Sequence, residues 1–215
     1  MSKNKLEYRE AFKTLYFPKN IRVMEIPPMK FFLIDGKGNP NTESFNDIVN
    51  NLYSLAYNMK MMLKKKKDVL GYQDYTVFPL EGVWDLDQKG RTMSDLDKNH
   101  FIYTMMIRQP DFISEELALE AMEIAQRKKP HPLLKKAVFT TITEGLVVQM
   151  MHYGSYDSEE VTFQMMREYC VENRLKRVGM KHSFSRRGIM KTRNIQMVIF
   201  SVVFFLAVGR AGAAE

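Results

Sequence analysis

One strand–turn–helix pattern occurs twice in this chain, and that repeat limits what the chain can fold into more than any other feature. The first copy is FFLIDGKGNPNTESFNDIV (Phe31–Val49) and the second is LVVQMMHYGSYDSEEVTFQMM (Leu146–Met166). In each, an apolar run ends at a turn marked by glycine, Gly36 and Gly38 in one and Gly154 in the other. A helix-capping segment follows, Asn41-Thr42-Glu43 or Asp157-Ser158-Glu159, and then an amphipathic helix. One short unit of this kind cannot bury its own apolar face, whereas two placed edge to edge can. The seam between them is then the natural place for a ligand cleft. The likeness is one of pattern, with little residue identity.

A length of 215 residues suits one domain, or two tightly fused half-domains. Hydrophobic residues at 45% and charged residues at 27% exclude a disordered chain. The single cysteine, Cys170, excludes an intrachain disulfide framework, and a reducing, cytoplasmic setting is the simplest fit. MSKNKLEYREAFKTLY is charged and amphipathic, unlike a secretory leader. The net charge is +7, but Arg174, Lys176, Arg177, Lys181, Arg186, Arg187, Lys191 and Arg193 lie together without an acid among them. Subtracting those eight leaves −1 for the rest, so the basic character belongs to a tail. With no helix-turn-helix, zinc-finger or RNA-recognition signature, no nucleic acid is expected to bind the body.

Along the chain, Lys5–Phe17 reads as a short helix, and Pro18, Pro27 and Pro28 enforce extended backbone after it. Met29–Asp35 reads as a strand and Glu43–Lys67 as a long helix. In that helix Phe45, Ile48, Val49, Leu52, Leu55, Ala56, Met59 and Leu63 share one face. Tyr72–Asp85 and His100–Gln109 read as antiparallel strands. In the second, Phe101, Tyr103, Met105 and Ile107 alternate with Ile102, Thr104, Met106 and Arg108. Ser114–Lys129 is a capped helix, Ala137–His152 an extended stretch bent at Gly145, and Ser158–Asn173 a third main helix.

The tail departs from this plan. After Lys191 and Arg193 an uncharged run extends from Ile195 to Val208, followed by Ala211-Gly212-Ala213. This is the layout of a secretory signal at the wrong end of the chain. Its apolar core, Met197–Val208, is shorter than the ~20 residues that span a bilayer. Three readings compete: a sequence junction or frameshift bringing in foreign coding sequence, which is favoured; a terminal strand or buried helix; and a weak membrane anchor over 195–208.

Five ordered segments carry a family resemblance: MKFFLIDGKGNPN (Met29–Asn41), LYSLAYNMK (Leu52–Lys60), FPLEGVW (Phe78–Trp84), YTMMIRQPDF (Tyr103–Phe112) and TEGLVVQMMHYGSYDSEE (Thr143–Glu160). Together they resemble the GyrI-like small-molecule-binding proteins, in the stand-alone branch that includes cyclopropanoid hydrolases. The resemblance implies an α+β fold of two pseudo-twofold-related βαββ-like halves. These form a concave antiparallel sheet with helices on its convex side and a ligand cleft between the halves. It divides the chain into a lead-in (1–28), a ligand-binding domain (29–182, with halves about 29–110 and 133–182) and an atypical basic, then apolar, tail (183–215). Relatives bind bulky, flat, often cationic or electrophilic drugs, and some open a strained cyclopropane with water. This branch continues after its last helix with a His-rich strand bearing a central carboxylate. Here Met180-Lys181-His182 begins that strand, Ser183–Arg187 replaces the acid-bearing part, and no Asp or Glu occurs from Asn173 to Ala214.

The candidate site residues follow. Trp84, the only tryptophan, offers a face for a planar or cationic ligand, or is a core or rim residue. Tyr53 and Tyr57 lie one helical turn apart and line the cleft, or bridge core and solvent. Tyr103 and Met106 complete the walls. Glu81 is the candidate general base, or a partner for a cation, and Glu144 a second carboxylate; each adjoins a glycine and reads also as an exposed acid at a turn, the favoured reading for Glu144. His152 matches the family motif, and reads as structural first and ligand-facing second. No histidine or cysteine spacing resembles a metal site, and no cofactor is expected. Haem on a similar fold is a weak third reading, since no histidine stands out as an axial ligand.

The expected function is therefore binding of a bulky flat ligand, hydrophobic or cationic, with hydrolysis of electrophilic cyclopropane toxins for drug resistance as the sharper form. A non-catalytic binding or effector module is the alternative. A monomer or a homodimer fits either.

Overall fold

The computed structural model describes residues 5–66, 68–154, 158–185 and 200–210. Helices α1 (Tyr8–Ala11) and α2 (Lys13–Tyr16) precede strands β1 (Arg22–Ile26) and β2 (Met29–Lys37), and then α3 (Glu43–Lys65). Strands β3 (Leu80–Leu86) and β4 (Phe101–Gln109) lead to α4 (Glu115–Lys128), β5 (Val138–Ile142) and β6 (Gly145–Gly154). The described chain closes with α5 (Glu159–Glu172), β7 (Leu175–Ser185) and β8 (Phe200–Arg210).

Among the described residues eight strands form one antiparallel sheet in the order β1-β6-β8-β7-β3-β4-β2-β5. The order is symmetric. The unit β2-α3-β3-β4 lays its strands as β3-β4-β2, and the unit β6-α5-β7-β8 lays its strands as β7-β8-β6. The two units meet at the seam β3·β7, where Leu80–Trp84 pair with Ser185–Lys181. Each lead-in strand is lent to the opposite half, β1 to β6 and β5 to β2. The repeat seen in the sequence is thus the unit of an α+β fold with two βαββ halves.

The lent strands force the sheet to curve. Strands β1 and β2 lie six positions apart, which in a flat sheet is about 29 Å at ~4.8 Å per strand. Yet only Pro27 and Pro28 separate them, and three residue steps reach about 11 Å. Pairing explains how this is possible. Arg22 opposes Gln149 and Ile26 opposes Gly145; Met29 opposes Ile142 and Leu33 opposes Val138. That register runs without a shift across both linkers, setting Pro27-Pro28 opposite Thr143-Glu144. The four strands are therefore one kinked two-stranded ribbon joining both ends of the sheet. Proline supplies the kink because it has no N–H to give to the ladder. Gly145, at φ +66, turns the opposing strand, as the expected bend did.

Both halves carry their helices on the same face. Tyr103 and Gly36 face α3, since a Cβ on Gly36 would lie 2.3 Å from the Tyr103 ring and 2.7 Å from Ile48 of that helix. Pairing Gly82–Ser183–Phe204–Met150 carries this face to the α5 side of the second half, whose core gathers Val148, Phe163, Met166 and Cys170. Helix α3 buries Phe45, Ile48, Leu52, Leu55, Ala56, Met59, Met62 and Leu63, nearly the stripe its spacing indicates. Each fully buried leucine or methionine there contributes about 1.5–3 kcal/mol. Ala118, Ala121 and Ala125 let α4 pack closely on α3, and Ser114 caps α4 by accepting from the Leu117 N–H.

Some expectations change. Lys5–Phe17 is two single turns broken at Phe12 rather than one helix. The strand expected from Tyr72 starts at Leu80, because Pro79 lacks a ladder donor; before it, Tyr75 makes only an isolated bridge with Leu6. At backbone level Phe200–Arg210 is a strand between β6 and β7, the counterpart of β4. Its sequence, uncharged from Phe200 to Gly209, suits a strand flanked on both sides. Among the described residues no helix is long and apolar enough to cross a membrane. Asp157, Arg186, Arg187, Lys191, Arg193 and Ala211–Ala213 lie outside the described residues.

Gly36→Ala is expected to destabilise the fold by about 1–3 kcal/mol through overpacking against Tyr103 and Ile48. Urea denaturation checks this, and an unchanged midpoint would contradict the close approach of α3 to β2.

Candidate functional site

The face turned away from α3 and α5 is the one the kinked ribbon curls around. The period of two places Glu81 of β3, Met106 and Arg108 of β4, and Phe31 of β2 on it, with Phe31 opposite Arg108 and Glu81 opposite Met106. Pairing Glu81–Phe184–Val203–Met151 carries the same face across the seam, so Gln149 and Met151 of β6 belong to it too. Glu81, Met106, Arg108 and Gln149 are all buried.

They are buried by the N-terminal segment. The Tyr16 hydroxyl donates to Glu81 Oε1 at 3.0 Å, with both side chains almost wholly out of water. The Arg108 guanidinium lies 4.1 Å over the Phe12 ring and 5.1 Å from that of Phe78. Tyr8, Phe12, Tyr16 and Phe78 form a continuous aromatic cluster, with neighbouring ring centres 5.5–6.5 Å apart. On the far side of the seam, Gln149 Nε2 donates to the Leu15 carbonyl, and Arg22 donates to both Gln149 Oε1 and the Thr14 carbonyl. Residues 12–16 therefore bridge both halves across the concave face.

The electrostatics are those of a buried polar group with incomplete partners. Burial, and then the neighbouring Glu81 charge, push the Tyr16 hydroxyl well above its ordinary value, while Arg108 acts in the opposite sense. Tyr16 is thus a neutral donor at physiological pH. Arg108 is 3% exposed; its guanidinium bonds to the Tyr16 hydroxyl, and its Nη2 reaches the exposed Asp111 at 3.6 Å. Its Nε and Nη1 have no hydrogen-bond partner among the described residues. A buried donor without an acceptor is costly, by about 1–3 kcal/mol and more when charged, and calls for an explanation.

The other expected site residues lie elsewhere. Trp84 and Tyr103 sit together at 4.9 Å on the α3 side, with Phe45 and Phe101 around the indole, so they share no wall with Glu81 and Met106. The reason is parity: residues 81 and 84, like 103 and 106, are an odd number apart on a strand. Tyr53 and Tyr57 stack at 6.4 Å on α3, across the sheet from Glu81, and Tyr57 is 52% exposed. Glu144 lies half-buried in the ribbon linker. His152 faces α5, bonded to Thr162 at 2.7 Å and to Ser158 at 3.3 Å, inside the second half. Burial raises the Cys170 thiol, keeping it protonated. Phe12, Tyr16, Arg108 and Gln149 are not among the residues expected at the site, although Tyr8, Phe12 and Tyr16 at i, i+4, i+8 mark an aromatic face.

A family model described as GyrI-like small molecule binding domain matches residues 19–184. Among solved structures, a hydrolase from Listeria innocua is 28% identical with a TM-score of 0.81, the match covering 95% of this chain and all of that one. An uncharacterized conserved protein from Listeria innocua is 30% identical with a TM-score of 0.83, over 95% of this chain and all of that one. The C-terminal domain of EcmrR shares the fold at 11% identity and a TM-score of 0.54, over 91% of this chain and 99% of that one. None of the curated proteins matches the chain.

Tyr16→Phe is expected to destabilise the protein by about 1–3 kcal/mol at pH 7, since it leaves the buried Glu81 short of a donor. Because the folded state raises the Tyr16 pKa, its protonated form stabilises the fold fully below the unfolded value near ~10, and that stability falls as pH rises further. Denaturation of both proteins from pH 7 to 11 should show the wild type losing stability faster above ~10. Parallel curves would contradict the burial of Tyr16.

Proposed function

Because the chain belongs to the GyrI-like small-molecule-binding domain family, we propose that the concave face takes a bulky, flat organic ligand, with Glu81 and Arg108 as its polar anchors. The observation that supports this most is the buried carboxylate of Glu81 beside a neutral tyrosine hydroxyl and an incompletely partnered guanidinium. A carboxylate held in an apolar setting pairs with a donor or cation, or accepts a proton. Met106, Phe31 and Phe78 supply apolar walls.

The sharper form is hydrolysis of an electrophilic cyclopropane fused to a conjugated carbonyl, serving self-protection against a toxin in the cytoplasm. Water oxygen bonds to the strained carbon, and the electron pair of the broken carbon–carbon bond moves to the carbonyl oxygen. Glu81 takes the proton that water loses, Arg108 balances the new oxyanion, and the oxyanion takes up a proton in turn; the net change is addition of one water. Likeness at 28% identity to a protein described as a hydrolase supports this form. The absence of any acid from Asn173 to Ala214 favours the second reading, binding without turnover.

Fluorescence titration with 7-amino-4-methylcoumarin, a flat neutral aryl amine, and with ethidium, a flat aryl cation, tests the site. Glu81→Gln should weaken binding of either probe by roughly 10–100-fold. Binding unaffected by this change would overturn the assignment to Glu81. Incubation with a spirocyclopropyl cyclohexadienone, followed by mass spectrometry, should give a product heavier by one water. A product yield equal to the protein-free rate leaves only the binding reading.

A further inference from the structure

The face assigned to the ligand is filled by the protein itself. Residues 12–16 lay Phe12 on Arg108, direct the Tyr16 hydroxyl to Glu81 and bridge to Gln149 on the other half. This strap is pinned at both ends. Before it, the Leu6 N–H donates to the Asp74 carbonyl at 2.7 Å and the Thr76 N–H to the Leu6 carbonyl at 3.0 Å; after it, β1 joins β6. Between the pins, α1 and α2 are single turns with no side-chain cap, too short to persist on their own. What holds them is the same set of contacts a ligand would use. The family match begins at residue 19, just past the strap.

We propose that residues 8–17 are an internal stand-in for the ligand, a strap that must lift before a ligand can reach Glu81, and whose side chains state the chemistry of what replaces it. Phe12 stands for an aryl plane on the Arg108 guanidinium, and Tyr16 for a hydroxyl or amine donor to Glu81. The unpartnered Nε and Nη1 of Arg108 then have a use that the strap does not supply: they are donors for a carbonyl or other acceptor on the incoming molecule. The ligand class is accordingly a flat aryl compound carrying both a donor and an acceptor. The strap's apolar cover also keeps water from Nε and Nη1, so the cost of leaving them unpartnered is relieved only when the cover lifts or an acceptor arrives. The inference rests on the ligand reading of this face given above.

The test uses the full chain with 7-amino-4-methylcoumarin as probe, comparing wild type, Phe12→Ala and Tyr16→Phe, each checked for native circular dichroism. If the strap competes with the ligand, Phe12→Ala should bind the probe about tenfold more tightly, and the conservative Tyr16→Phe should also bind more tightly. Saturating probe should speed hydrogen exchange at the amides of Phe12, Leu15, Tyr16 and Phe17, whose hydrogen bonds close the two turns. Probe binding that depends on Glu81 but leaves these amides unchanged or better protected would overturn the strap and leave the site standing. Faster exchange with binding insensitive to Glu81→Gln would support the strap and overturn the Glu81 anchor. Absence of binding by all three forms would overturn both.

Discussion

The kinked ribbon formed by β1-β2 and β5-β6 is the constraint on which the rest of the structure depends. Its register passes through Pro27-Pro28 and Thr143-Glu144 without a slip, so the strands at opposite ends of the sheet are continuations of strands near the other end. A one-residue slip at the linker would exchange the two faces of β2 against β5 and send Phe32 outward and Leu33 inward. Register is therefore what keeps the helix face and the concave face distinct. Curvature follows from chain reach alone: two residues cannot bridge a flat sheet of this width.

That curvature settles the character of the concave face. A flat sheet would leave Glu81 and Arg108 in water, as ordinary charges. Curled, and covered by an aromatic strap, the same positions become 2% and 3% exposed. Burying charges of opposite sign is tolerable only when they compensate one another and find hydrogen bonds. Tyr16 meets that need for Glu81. Stacking on Phe12 and Phe78 meets it only in part for Arg108, because a ring face balances charge without accepting the in-plane N–H groups. The asymmetry between Glu81, held by Tyr16, and Arg108, whose Nε and Nη1 have no partner among the described residues, is the most informative electrostatic feature of the molecule.

Local signals made much of the fold legible. The duplicated strand–turn–helix, the stripe of α3, the Ser114 cap and the bend at Gly145 all depend on residues close in sequence, and all were readable. The site was legible only in part. Glu81 and Met106 stood out, and strand parity separated them from Trp84 and Tyr103, but the aromatic wall was assembled from residue type rather than from parity. Tyr53 and Tyr57 were readable as neighbours, whereas the side of the sheet on which their helix lies is a matter of topology. What no local pattern carried was the crossing of residues 8–17 over the opposite face. Their aromatic spacing was visible, but contacts such as Tyr16 with Glu81 and Leu15 with Gln149 join residues far apart in the chain.

If the concave face takes the proposed ligand, its charge balance discriminates among flat candidates. A ligand whose only polar feature is a positive charge gains from Glu81 and loses to the Arg108 guanidinium, which lies on the same face. With water excluded both terms are large, so they tend to cancel. A neutral ligand with a donor at one end and an acceptor at the other loses nothing, because each anchor meets its complement and the pair stays compensated. Such a molecule also relieves the desolvated Nε and Nη1 groups that the strap leaves idle. A conjugated carbonyl fits that description better than a quaternary cation. It is also the group through which a strained ring can pass its electrons when water attacks, so the charge pattern that selects the ligand is the pattern the hydrolytic step would use.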